Sequence, residues 1–156
     1  MRLSETKGIV FVADPGDYAG GAVTGECISV KDCSHVTFIC QFGDVTGNSV
    51  LTVKSGAADG TQTTSETFYY RNGGADMLST GADVYAAETG ATTLTLTAAT
   101  YNDRCLILEV PVSELTDGQP FITLALTAVA NPLEFSCVAI LSDMRYIADS
   151  PPTVIA

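Results

Sequence analysis

The clearest alternation of apolar and polar positions lies in His35-Val-Thr-Phe-Ile-Cys-Gln-Phe42, where Val36, Phe38, Cys40 and Phe42 alternate with His35, Thr37, Ile39 and Gln41. Successive strand side chains point to opposite faces, so this segment predicts a half-buried strand. Ser49-Val-Leu-Thr-Val-Lys54 repeats the pattern, and Thr92-Thr-Leu-Thr-Leu-Thr-Ala98 alternates Thr with Leu. A second kind of segment is apolar on both faces. Arg104-Cys-Leu-Ile-Leu-Glu-Val110, opened by the turn pair Asn102-Asp103 and closed by Pro111, sends Leu106, Leu108 and Val110 one way and Cys105, Ile107 and Glu109 the other. Either something packs on each side of that strand or one face meets a partner. Glu109 is the exception, and its charge places it near an edge or a subunit contact.

The remaining elements follow from turn signals. Ile9 to Ala13 reads as a first strand ended by Asp14-Pro-Gly-Asp17, and the glycine-rich stretch from Tyr18 to Gly25 as a loop. Glu26 to Val30 is a short second strand, and Thr61 to Tyr70 is strand material closed by Arg71-Asn-Gly-Gly74. Residues 75–90, with Met77, Leu78, Val84 and Tyr85, read as a further strand or a loop packed on the sheet. Thr92 to Ala98 is expected to pair with the 104–110 run as a hairpin across Tyr101 to Asp103. Phe121 to Leu126 and Glu134 to Leu141 supply two more strands, while Val112 to Gly118 gives at most one helical turn before Pro120. No segment carries a 3.6-residue period. The pattern predicts an all-β chain, a jelly-roll-like β-sandwich of about eight antiparallel strands, with a closed barrel as the nearest alternative. Its expected organisation is an N-terminal arm over 1–8, a sandwich domain over 9–146 and an extended C-terminal arm over 147–156.

Composition narrows the setting. At 156 residues the chain suits one domain with a sizeable core. Charged residues are only 16%, below the roughly 25% of ordinary soluble domains, so much of the surface is uncharged Thr, Ser, Gly and Ala. Seven Lys plus Arg against 18 Asp plus Glu give a formal charge of -11. That field repels nucleic acid and anionic membrane surfaces and favours basic protein partners. The five cysteines, Cys27, Cys33, Cys40, Cys105 and Cys137, are odd in number and form no Cys-x-x-Cys pair, which argues for free thiols in a reducing compartment. Met1 to Lys7 is mixed in charge, Ile9 to Ala13 is too short for a signal peptide, and no apolar run approaches a membrane span. The expectation is a soluble protein made in the cytosol.

Candidate chemistry is sparse. A Ser-His-Asp or Cys-His site would have to be built on His35, the single histidine, which is more simply a surface or interface residue. Asp14 and Asp17 could bind calcium but more simply form a turn. Glu109 and Glu114 could form a glycosidase-like pair, although nothing in the sequence sets their separation. Tyr69 and Tyr70 are the remaining option for a sugar platform in a chain without Trp. The expectation is no enzyme, no cofactor and no metal.

Three stretches together carry a resemblance: Asp17-Tyr-Ala-Gly-Gly-Ala-Val-Thr-Gly-Glu-Cys-Ile-Ser-Val-Lys-Asp32, His35-Val-Thr-Phe-Ile-Cys-Gln-Phe-Gly-Asp44, and Arg145-Tyr-Ile-Ala-Asp-Ser-Pro-Pro-Thr-Val-Ile-Ala156. They resemble small virion proteins of tailed bacteriophages, in which a strand running into Arg-Tyr leads to a Pro-Pro tail. Cys27 and Cys33 stand where larger apolar or aromatic residues are expected in that group. The resemblance implies a capsid decoration, or cement, protein on the outside of the head. It would be made in the host bacterial cytoplasm, associate with itself as a homodimer or homotrimer, and bridge subunits of the major capsid protein. A receptor- or carbohydrate-binding module and a head–tail or tail component are the alternatives on the same scaffold. The expected partner-contact residues are Arg145, Tyr146, Pro151, Pro152, Val154 and Ile155. The two prolines favour extended chain, and Val154 and Ile155 call for an apolar groove, since fully burying such a side chain is worth about 1.5–3 kcal/mol.

Overall fold

The computed structural model describes residues 3–81 and 83–144. Its core strands form where the apolar period is 2. β10 (Cys105–Pro111) and β12 (Leu133–Ser142) bury alternate residues along their whole length, and β4 (His35–Val45) does so from His35 to Phe42. They sit side by side in a first sheet, completed by β1 (Gly8–Asp17), β7 (Phe68–Asn72) and β8 (Thr89–Ala91) in the order β1-β12-β4-β10-β7-β8. The second sheet runs β2-β11-β5-β6, from β2 (Val23–Thr24), β11 (Phe121–Leu126), β5 (Ser49–Gly56) and β6 (Thr64–Ser65). β3 (Ile28–Ser29) also pairs with β11, and β9 (Leu94–Leu96) with β5. Every ladder between these strands is antiparallel, so the chain is an all-β, sandwich-like fold.

The core lies between the sheets. Val36, Phe38, Cys40 and Phe42 of β4 and Leu106, Leu108 and Val110 of β10 meet Leu51, Val53, Ile122 and Leu124 from the second sheet in one buried cluster. Phe42 packs on Phe135 at 5.2 Å and edge-on to Tyr101 at 5.8 Å between ring centroids. Burial of so many aliphatic and aromatic side chains, each worth about 1.5–3 kcal/mol, is the main favourable term. The glycine-rich stretch ties the layers together. Gly25 donates its N–H to Leu124 O (2.8 Å) and Glu26 donates to Val12 O (2.9 Å), so the chain bridges β1 and β11. A Cβ at Gly25 would collide with Val12 and the Leu124 carbonyl, which is why only glycine passes there.

Several expectations are corrected. β9 does not form a hairpin with β10. It pairs with β5 in the opposite sheet, and the one-turn helix α1 (Ala98–Tyr101) carries the chain across to β10. Leu94 and Leu96 would be buried by either sheet, so their alternation left the partner strand open. β1 does not stop at Asp14. It continues to Asp17 through two register shifts against β12, at Phe11/Ala13 and Ala13/Gly16. Twelve strands are present among the described residues against the expected eight or so, because β2 lies in a stretch read as loop, the segment from Thr61 divides into β6 and β7, and β8 closes the stretch left open before Thr92. Leu3–Thr6, within the segment read as an arm, forms one helical turn. Asp103, in the turn opening β10, has a φ of 53°, which an Asp tolerates better than most residues.

Candidate interaction surface

The outward side of the first sheet is the feature that the core does not explain. Cross-strand register places Phe11 opposite Val138, Val138 opposite Ile39, Ile39 opposite Ile107, and Ile107 opposite Arg71. These residues make one row across five strands, apolar up to its last member. The adjacent row runs Ile9, Ile140, Thr37, Glu109 and Tyr69. Phe11 is 77% exposed, and Ile9, Ile39, Ile107, Val138 and Ile140 are half-buried, so no described element covers this face. Each of these strands is anchored by buried residues on the opposite side, among them Val10, Ala139, Phe38, Leu108 and Phe68.

The polar groups lie at the margin. His35 Nε2 approaches Glu109 Oε2 at 3.5 Å, and the Tyr69 hydroxyl donates to Glu114 Oε2 at 3.0 Å, which raises the Tyr69 pKa above its ordinary value. Arg71 meets Glu88 at 3.4 Å. The structure therefore brings His35, Glu109, Tyr69 and Glu114 to one end of the face, open to solvent rather than in a cleft. Glu109 is not near a sheet edge, because β10 lies between β4 and β7. Ser34, beside His35, directs its hydroxyl to Asp143 Oδ2 at 3.1 Å.

The other singled-out residues are placed as follows. Asp17 Oδ1 accepts the N–H groups of Ala19 (2.9 Å) and Leu133 (3.0 Å), closing the junction of β1 with β12, and Tyr18 donates its hydroxyl to the Asp14 carbonyl (2.7 Å). Among the described residues no group of three or more His, Cys, Asp or Glu is disposed to hold a metal ion. Tyr70 packs on Phe68 at 6.2 Å. The five cysteines are free thiols, with Cys40 and Cys137 paired across β4 and β12 at an Sγ–Sγ distance of 3.4 Å in the core. Arg145, Tyr146, Pro151, Pro152, Val154 and Ile155 lie outside the described residues.

No protein-family model matches the chain, and no curated protein matches it in sequence. No helix among the described residues is long and apolar enough to cross a membrane. The surface is thus defined by its own chemistry. Sequence reading missed Phe11, Ile9, Val138 and Ile140 as its members, although a signal was present: the runs Ile9 to Ala13, Cys105 to Leu108 and Cys137 to Leu141 are apolar at successive positions, which a strand can only satisfy by showing apolar atoms on both faces.

Proposed function

We propose that this protein is a structural virion protein that decorates the outside of a tailed-phage capsid and bridges major capsid protein subunits. The observation that carries the reading is the uncovered apolar row Phe11, Val138, Ile39 and Ile107, because an exposed apolar sheet face suits docking to protein rather than turnover of a small substrate. The resemblance in residues 17–44 and 145–156 supplies the virion setting. The charge of -11, borne mainly by loops and strand ends, suits a basic partner surface.

Mixing the purified full chain with capsids that lack it tests the reading. Saturable co-sedimentation with intact capsids, accompanied by a higher capsid melting temperature, is the expected result. Capsids that neither bind the chain nor gain stability would overturn it. Density confined to the tail or the portal vertex in images of the virion would instead favour a head–tail or receptor-binding component.

A further inference from the structure

Glu109 is the one carboxylate in the two rows on the outer face of the first sheet. It projects from β10 between Thr37 of β4 and Tyr69 of β7, two positions beyond Ile107 on the same side of the strand. The apolar row from Phe11 to Ile107 spans three inter-strand spacings, about 14 Å, and Glu109 stands about 7 Å from its end. Among the described residues, the one basic group within ion-pair distance of Glu109 is the His35 imidazole, which is charged only when protonated. Arg71, opposite Ile107, turns its guanidinium to Glu88 at 3.4 Å instead.

The surroundings of Glu109 suit a cation. The Tyr69 ring lies over Gly90 of β8, where an added Cβ would come within 3.3 Å of it, and its hydroxyl donates to Glu114 at 3.0 Å. The ring is thereby held beside Glu109, half open to solvent. A phenol supplies a proton but no positive charge, so it does not neutralise Glu114. Two carboxylates beside one aromatic ring favour a guanidinium or ammonium group. A docked subunit also strips water from Glu109, and a carboxylate covered without a cation is strongly unfavourable. A partner that covers the apolar row therefore binds well only if it brings a positive charge to this corner.

We propose that Glu109 is the specificity contact of the docking face. It receives a lysine or arginine side chain of a capsid subunit whose neighbouring apolar side chains cover Phe11, Val138, Ile39 and Ile107, with the Tyr69 ring and Glu114 completing the cation's surroundings. This rests on the decoration reading and deepens it: the partner segment is apolar along the row and basic at the β10–β7 end, which fixes the direction in which it lies on the sheet.

Binding isotherms of the full chain on capsids that lack it, measured by co-sedimentation, are the test. Glu109→Gln should raise the dissociation constant about tenfold or more, as loss of one member of a covered charge pair does, and Glu109→Lys should raise it further. The side chain is 42% exposed, so both variants should keep the parent's melting temperature. Asp59→Asn makes the same change in net charge on the exposed loop between β5 and β6 and should leave binding unchanged, as should His35→Gln. Glu109→Gln binding as tightly as the parent, or more tightly, would overturn the proposal, because the carboxylate would then be only a burden on docking. Equal weakening by Asp59→Asn would overturn it in favour of net charge, and loss of binding in His35→Gln would make the imidazolium the counter-ion instead. The two claims fail separately: a parent chain that ignores capsids refutes the decoration reading and this contact with it, whereas a parent that binds and is insensitive to Glu109 refutes the contact alone.

Discussion

The most demanding polar group in the core is Glu66, only 5% exposed. Its carboxylate accepts hydrogen bonds from the Ser55 hydroxyl and from the Thr116 N–H at 3.1 Å, joining β5 to the loop before β11, and Ser55 also lies 2.7 Å from Gln119 Oε1. Glu66→Ala leaves the Thr116 N–H without its acceptor, while the Ser55 hydroxyl can still donate to Gln119 Oε1, and should cost about 1–3 kcal/mol in urea unfolding. Glu66→Gln keeps an acceptor oxygen and should cost much less. The cysteines give a second test. Burial holds the Cys40 thiol well above the ordinary value of 9.0 and pushes Cys33 up to about 11. A thiol that keeps its proton longer in the folded state stabilises the fold below the unfolded pKa, and that stabilisation is lost as pH rises through the folded one. Unfolding free energy should therefore fall between pH 9 and 11, less steeply in Cys33→Ala. Alkylation and mass spectrometry should find Cys40 and Cys137 unreactive in the folded chain and all five thiols reactive in denaturant. A disulfide would contradict this. None of these pairings was legible in the sequence, since Glu66 sits in a Thr-rich, polar stretch and its partners are 11 and 50 residues away.

At the scale of elements, alternation found β4 and β5, and apolar runs bounded by turn signals found β10, β11 and β12, the strands that build both layers. What it left open was pairing. Leu94 and Leu96 satisfy burial against either sheet, and only the turn of helix Ala98–Tyr101, with Tyr101 on Phe42, decides that β9 stays with β5. The continuation of β1 past Pro15 was hidden because bulges break the period that sequence reading relies on. The C-terminal segment offers a prediction of its own. If residues 151–156, with Pro151, Pro152, Val154 and Ile155, serve as a tether to a neighbouring subunit, their deletion should leave the melting temperature within a few degrees of the parent and abolish capsid attachment. A truncated chain that still decorates capsids, or that loses its fold, would exclude that role.

For the whole molecule, the fold class was legible and the interaction face only half so: Ile107 was placed on the face opposite Leu106 and Leu108, but its alignment with Phe11, Val138 and Ile39 depends on register across three ladders. Two kinds of surface result, one the apolar sheet face, one acidic and made of loops. They should respond oppositely to salt. Capsid attachment through exposed acidic groups should weaken as ionic strength rises and screening shortens, whereas association through the apolar face should not. Binding isotherms at low and high salt check this, and a flat capsid response would assign attachment to apolar packing. The central claim is that the chain is a repeated structural component of a virion shell, and counting it in purified particles by quantitative mass spectrometry tests that most directly. The account predicts a copy number in the hundreds, in fixed ratio to the major capsid protein; a handful of copies per particle, or none, would contradict it.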